Sequence, residues 1–294
     1  MRRLLKHGEF KTIGLVIVCF VAFVLIAIGK NSSSVTFGQP YYVVDSALSS
    51  TTVSASAWLV FDAETGEVLG GRNQEKVLPI ASVTKLLTAE TAISSLDLNA
   101  STTVSWRAVA TEGKAGRLKA NEIINTRELL FPLLLESSND AAEALAESVD
   151  RDVFIEKMNT KAKELGMEDT VLKDPSGLSS GNVSNTLDLQ KLMMHLYKER
   201  RHILDITHLT TFVGSKHIWQ NNDPVFSSLG FVGGKHGYTE AADRTFAAIF
   251  NEKLSLEGTR PVGIVLLGSD NLKSDTEALL QALNERVKYE YSVK

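Results

Sequence analysis

The longest uninterrupted apolar stretch lies near the start of the chain. Residues 12–29 read TIGLVIVCFVAFVLIAIG, with no charge between Lys11 and Lys30. As a helix this run extends about 27 Å, close to the ~30 Å hydrocarbon core of a bilayer. It lacks the polar stripe of a helix packed on one side only, so the pattern predicts a transmembrane span. Cys19 sits mid-span as a small apolar filler. Residues 31–53, rich in Ser, Thr and Val, predict a linker. The periodicity then changes repeatedly. Residues 57–61 (AWLVF) and 67–70 flank Asp62-Ala63-Glu64-Thr65-Gly66 and predict a hairpin. A helical pattern runs from Pro79 to Ser95. More helices are predicted after Thr126, after Asn139, from Asp152 to Leu165 with Gly166 as the stop, and after Thr186. Pro132, inside an apolar stretch, predicts a kink. Residues 231–232, 245–250 and 262–267 are strand-like, and Ser274-Asp275-Thr276-Glu277 reads as a capping box before a final amphipathic helix. Strands at both ends with helices between them predict an α/β (α+β) domain, an antiparallel sheet covered by helices.

Composition narrows the class. With 44% apolar and 22% charged residues in 294, the chain is globular and not disordered. Its single cysteine excludes a disulfide framework and any Cys-based metal site within the chain. The net charge of −4 divides into +3 over residues 1–11 and −7 over the remainder. An acidic body argues against nucleic acid as a partner. The basic head (Arg2, Arg3, Lys6, Lys11) places the N-terminus on the cytoplasmic side of a membrane and the rest outside. Ala27 and Gly29 also fit a signal-peptidase site, but the apolar run exceeds the roughly 7–15 residues of a signal-peptide core, which favours an uncleaved anchor. The expected division is a basic head over 1–11, an anchor over 12–29, a linker over 30–53 and one catalytic domain over 54–294. His202, Asp205 and His208 fall at i, i+3 and i+6, yet no further cluster has metal-ligand spacing, so no metal or other cofactor is expected.

Candidate chemistry centres on Ser82-Val83-Thr84-Lys85. A serine and a lysine three apart at a helix start share one face, so the amine reaches the hydroxyl. Lysine serves as the base for such a serine when desolvation lowers its pKa from about 10.4. Alone the pair is also explained by an N-cap serine beside a solvated lysine. Glu136-Ser137-Ser138-Asn139-Asp140 supplies Ser-x-Asn before an Ala-rich helix, where ordinary capping is the bland reading. Gly233-Gly234-Lys235-His236-Gly237 supplies Lys-x-Gly ahead of Tyr238-Thr239. All three in this order match the signature of penicillin-binding proteins and class A β-lactamases.

The sequence therefore resembles the low-molecular-mass penicillin-binding proteins, serine-type D-alanyl-D-alanine carboxypeptidases of the peptidase S11 type. The likeness extends to Leu133-Leu134-Leu135 ahead of Ser137, to Met158-Asn159, Ala162 and Leu165-Gly166, to Asp174-Pro175-Ser176-Gly177-Leu178 and to Thr186-Leu187-Asp188. It implies a β-lactamase/transpeptidase-like fold, with an antiparallel sheet of about five strands and an inserted helical subdomain. It implies removal of the terminal D-alanine from peptidoglycan stem peptides at the bacterial cytoplasmic membrane, and covalent inhibition by β-lactams. On the same resemblance Ser82 is the acylated nucleophile and Lys85 its base. Ser137 relays the proton to the leaving group, Asn139 holds the substrate carbonyl or the lysine, and Lys235 stabilises charge and binds the terminal carboxylate. His236, Gly237, Tyr238 and Thr239 line the substrate, and the backbone N–H groups of Ser82 and Tyr238 form the oxyanion hole. Asp188 stays outside the catalytic set, because a helix-capping role explains it as well.

Two departures stand out. The third motif carries His236 where the family usually has threonine, so an imidazole N–H is expected to replace the hydroxyl toward the substrate carboxylate. The family's common C-terminal β-rich domain and terminal amphipathic anchor are not recognisable, which assigns anchoring to residues 12–29. A β-lactamase on the same fold and a non-catalytic wall-binding module are the alternatives; no Glu-x-x-Leu-Asn segment is present to position a hydrolytic water.

Overall fold

Five strands build the central sheet, and they come from opposite ends of the domain. In chain order they are β1 (Ala57–Asp62), β2 (Val68–Arg72), β3 (Phe231–Thr239), β4 (Asp243–Glu252) and β5 (Arg260–Ser269). The spatial order is β3-β4-β5-β1-β2, with every neighbour antiparallel. Between β2 and β3 the chain inserts helices α1 (Thr84–Ser95), α2 (Asn139–Glu147), α3 (Arg151–Glu164), α4 (Thr186–Glu199) and α5 (Arg201–His208); α6 (Leu272–Arg286) follows β5. The computed structural model describes residues 37–44, 48–113, 116–254 and 258–293. The expected head and span, residues 1–29, lie outside the described residues. Among the described residues no helix is long and apolar enough to cross a membrane. The chain divides into two units, Tyr42–Tyr289 and Met1–Tyr41 with Glu290–Lys294. Strands Phe37–Val44 and Val287–Val293 pair as a separate two-stranded ribbon, the first of them inside the stretch read as linker.

The unbroken AWLVF run of β1 has a simple cause. Both faces of the sheet are covered, so alternate side chains enter two different cores and none meets water. Leu59 and Phe61 join Ala247, Ile249 and Val265 against the inserted helices, where Leu86, Leu133, Phe154 and Met193 complete the core. Trp58 and Val60 join Phe246, Phe250, Ile264 and Leu266 against Leu279 and Leu283 of α6. Each fully buried Leu or Phe contributes about 1.5–3 kcal/mol.

The hairpin expected around Asp62–Gly66 is present: the Asp62 carboxylate accepts from Glu64 N and Thr65 N, both at 2.7 Å. Four expectations are corrected. Pro79 does not open a helix. It lies in a short strand, Leu78–Pro79, paired with Val183–Ser184, and a 3-10 turn (Ala81–Val83) precedes α1. The reason is local: Ala81 has φ +46°, outside the right-handed range an α-helix requires. The cap of α6 is Asn271, whose side chain accepts from Ser274 N. Asp275 of the supposed capping box is instead buried and accepts from Ser54 N, Ala55 N and Ser269 Oγ at 2.7–3.0 Å. Asp188 is no cap either. Asn185 caps α4, and Asp188 accepts from Asp169 N and Thr170 Oγ1. Pro132 opens a π-helical turn, Pro132–Glu136, a widened helix that takes the place of a plain kink.

Candidate active site

Ser82 occupies the 3-10 turn at the N-terminus of α1, and Lys85 stands one turn on, fully buried. Lys85 Nζ lies 3.0 Å from Ser82 Oγ, 2.7 Å from Asn139 Oδ1 and 2.5 Å from the Ser176 carbonyl oxygen. The last two atoms are obligate acceptors. A neutral amine with both N–H bonds on those acceptors would turn its lone pair to the Ser82 hydroxyl, the arrangement a general base requires. The positive φ of Ala81 sets the sharp entry into this turn.

Ser137 ends the π-helical turn in the left-handed region at φ 62° and is buried. Ser138 takes the cap of α2, accepting from Ala141 N at 2.9 Å. That frees Asn139, the first helical residue, to face Lys85. Its other amide end donates to Glu112 O at 2.7 Å, which fixes which atom the lysine meets. The two serines and the asparagine thus divide the work that capping alone could have claimed for any of them.

The third motif lies on β3, an edge strand. Opposite residues on neighbouring strands share a face, and the register sets Lys235 against Ala247 and His236 against Phe246. Lys235 therefore points to the face that holds the inserted helices and His236 to the opposite one. Lys235 is buried, with Nζ 2.9 Å from the His236 carbonyl. His236 is also buried, its Nδ1 3.1 Å from Asp223 Oδ2. Gly237 is required by close approach: a Cβ there would stand 2.5 Å from Ser82 N, so only glycine lets the strand edge reach the Ser82 amide. Tyr238 is exposed, under the Arg244 guanidinium, and the Thr239 hydroxyl accepts from Ala242 N within the β3–β4 turn.

Several contributors were missed. Asp174 Oδ1 accepts from Ser176 N, Ser176 Oγ and Gly177 N at 2.6–2.7 Å and its Oδ2 from Ser179 N at 2.7 Å. Those bonds aim the Ser176 carbonyl at Lys85. Burial pushes the Asp174 carboxyl up, but the hydrogen bonds outweigh it and hold the group below its ordinary value. Gly177 then presses on the nucleophile turn: its φ is +86°, and a Cβ would stand 2.0 Å from Ala81 O. The sequence signal was present in Asp174-Pro175-Ser176-Gly177, read only as part of the resemblance. Asp223 gave no signal at all. Among the described residues no group of His, Cys, Asp and Glu could hold a metal ion.

The Peptidase S11 profile, described as D-alanyl-D-alanine carboxypeptidase, matches residues 44–269. The chain belongs to this family. D-alanyl-D-alanine carboxypeptidase DacB2 of Mycobacterium tuberculosis is 34% identical over 200 residues, covering 65% of this chain and 69% of the relative. A D-alanyl-D-alanine endopeptidase of Pseudomonas aeruginosa is 38% identical over 151 residues, 48% of this chain and 47% of the relative. The chain thus spans about half the length of that second S11 relative. Among solved structures, penicillin-binding protein D2 of Listeria monocytogenes in its ampicillin-bound form superposes with a TM-score of 0.68 at 28% identity, covering 79% of this chain and 97% of that one. The S11 assignment, the five-stranded antiparallel sheet and the flanking helices agree.

Proposed function

We propose that this S11 chain is a serine-type D-alanyl-D-alanine carboxypeptidase acting through an acyl-enzyme on Ser82. One observation carries the reading: the buried Lys85 amine, held by two carbonyl acceptors, meets Ser82 Oγ at 3.0 Å. Ser82 Oγ attacks the carbonyl of the penultimate D-alanine while Lys85 takes the hydroxyl proton. Ser137 passes a proton to the departing D-alanine nitrogen, and water then hydrolyses the ester and restores the serine. Lys235 supplies positive charge for the terminal carboxylate. Backbone N–H groups of Ser82 and Tyr238 receive the oxyanion, at roughly 2.7–4 kcal/mol per donor. Peptidoglycan stem peptides ending in D-Ala-D-Ala are the substrates, and β-lactams acylate the same serine. Residues 12–29 anchor the chain in the cytoplasmic membrane with the catalytic domain outside, a reading supported by the apolar run and its basic flank.

Labelling with a fluorescent penicillin, on wild type and Ser82→Ala, tests the function. Stable label that depends on Ser82 is expected. Rapid turnover of the label would indicate a β-lactamase, and no label a wall-binding module. For the anchor, a full-length protein of 32.1 kDa should resist carbonate extraction from membranes; a soluble form beginning at Lys30 would show cleavage.

A further inference from the structure

The segment Asn221-Asn222-Asp223 ties the second motif to the third. Asn222 N donates to Leu135 O at 3.0 Å and Asn222 Nδ2 to Glu136 O at 2.8 Å, the two carbonyls just ahead of Ser137. Asn221 Nδ2 donates to Thr207 O at 2.7 Å, at the end of α5, and its Oδ1 accepts from Asp223 N at 2.9 Å. Asp223, 7% exposed, uses Oδ1 on Val225 N at 2.8 Å and turns Oδ2 to His236 Nδ1 at 3.1 Å. The position at which this chain leaves the Lys-Thr-Gly pattern is thus the position to which a buried carboxylate has been brought.

Burial alone would push Asp223 up. The hydrogen bond to His236 and the charges of His236 and Lys235 outweigh it and hold the carboxyl below its ordinary value. An ionised carboxylate only accepts, so Nδ1 carries the hydrogen and the tautomer of the ring is set.

We propose that Asp223 is a positioning residue for substrate recognition: it fixes His236 by Nδ1, and the two form one ionisable unit beside the Lys235–Tyr238 strand edge. The proposal rests on the carboxypeptidase reading above. As imidazolium and carboxylate the pair is neutral; when the ring loses its proton the pair carries −1. The charged groups around it are Asp223 from the preceding loop, Arg244 on β4 two positions along the same face, and Lys235, next on the strand but on its other face, whose charge is felt at Asp223; the residue directly opposite His236 is the uncharged Phe246. Deprotonation therefore places a negative charge one residue from the lysine that attracts the substrate's carboxylate. Acylation by anionic substrates should weaken as pH rises and the ring loses its proton.

The test uses the full chain and the second-order acylation rate of a carboxylate-bearing penicillin, followed from about pH 5.5 to about pH 9 in wild type, Asp223→Asn, His236→Thr and the double variant. Wild type should show a limb that falls by about 10-fold toward high pH. The limb should be absent in His236→Thr and displaced to lower pH or lost in Asp223→Asn. In the His236→Thr background, Asp223→Asn should change the rate by less than about 2-fold, because its effect passes through the ring. Two outcomes overturn the proposal: an unchanged limb in Asp223→Asn, or an equal loss from Asp223→Asn in both backgrounds, which would reduce Asp223 to a brace for Val225. If Asp223→Asn does not fold, survival of the limb in His236→Thr overturns it as well. Failure of wild type to take Ser82-dependent label would instead strike the carboxypeptidase reading.

Discussion

Two lysines are buried in the active site, and they are held in opposite ways. The three acceptors described around Lys85 are a hydroxyl, a side-chain amide and a backbone carbonyl, all uncharged. Lys235 sits on a backbone carbonyl of its own strand, and its charge reaches the Asp223 carboxylate. Neutral acceptors do not demand a protonated amine, since they are satisfied by two N–H bonds as well as by three. A nearby anion rewards the charged form. On the proposed function, the difference suits Lys85 to proton transfer and Lys235 to the part of a fixed cation.

Arginine separates the two roles most sharply. Lys85→Arg keeps the charge but stays protonated, so acylation should fall by about 10²–10⁴-fold. Lys235→Arg keeps what Lys235 supplies and should lose far less, about 10-fold, mostly through misfit at a buried position. Equal losses measured in penicillin acylation would break the comparison. Gly177→Ala comes next, through the carbonyl side of the Lys85 site. A Cβ 2.0 Å from Ala81 O must displace the nucleophile turn. It should cost about 2–5 kcal/mol in urea unfolding, with acylation lost in whatever protein folds. Asp174→Asn is milder. The amide retains one acceptor but turns N–H toward N–H on its other side, so stability should drop by about 1–3 kcal/mol. Because the Asp174 carboxyl is held below 3.8, its contribution is complete above that pH and disappears as pH falls through the lowered value. Asp174→Asn should therefore lose less stability than wild type on acidification, as read from acid-unfolding curves.

The smallest effect is a control away from both lysines. Glu252 is buried beside an amide, with Asn284 Nδ2 donating to it at 2.7 Å. Burial raises its carboxyl above 4.5, and the Asn284 bond opposes this only in part. A raised acid stabilises the fold at low pH and loses that contribution as pH rises through its folded value. Glu252→Gln should therefore raise Tm slightly near neutral pH and not at acid pH. A fall in Tm near neutral pH would contradict that reading of the site.

What the sequence disclosed follows from how far each relation reaches. Ser82 and Lys85 were legible because three residues in a helical turn is a fixed geometry. The hairpin at Asp62–Gly66 and the stop at Gly166 were legible because the turn chemistry is local. The partner of Asn139 is a lysine 54 residues away, and only the resemblance to the S11 family suggested it. The Ser176 carbonyl was invisible for another reason: a backbone atom has no identity in a sequence, and only its glycine neighbour hints that the chain must pass close. Asp275 fitted a capping box on local grounds and was claimed by tertiary partners. His236 was read as a substitute for a hydroxyl, and its Nδ1 is also bonded to Asp223, a contact set by a loop no periodicity describes.

The pairing of β5 with β1 carries a consequence for how the molecule comes into being. Val262 lies beside Asp62, about 200 residues earlier in the chain, and that pairing sits inside the sheet, not at its edge. No nascent chain can close this sheet until nearly all of it has been made. The first hairpin must wait, with Trp58, Leu59 and Phe61 uncovered, while the helical insertion is synthesised. Contacts of such long separation slow folding and lengthen the time during which sticky intermediates persist. Ser82 and Lys85 are translated early, but the strand edge carrying Lys235 joins them only after most of the chain has appeared. The three motifs therefore stand together only once a strand about 150 residues beyond Ser82 has joined the sheet.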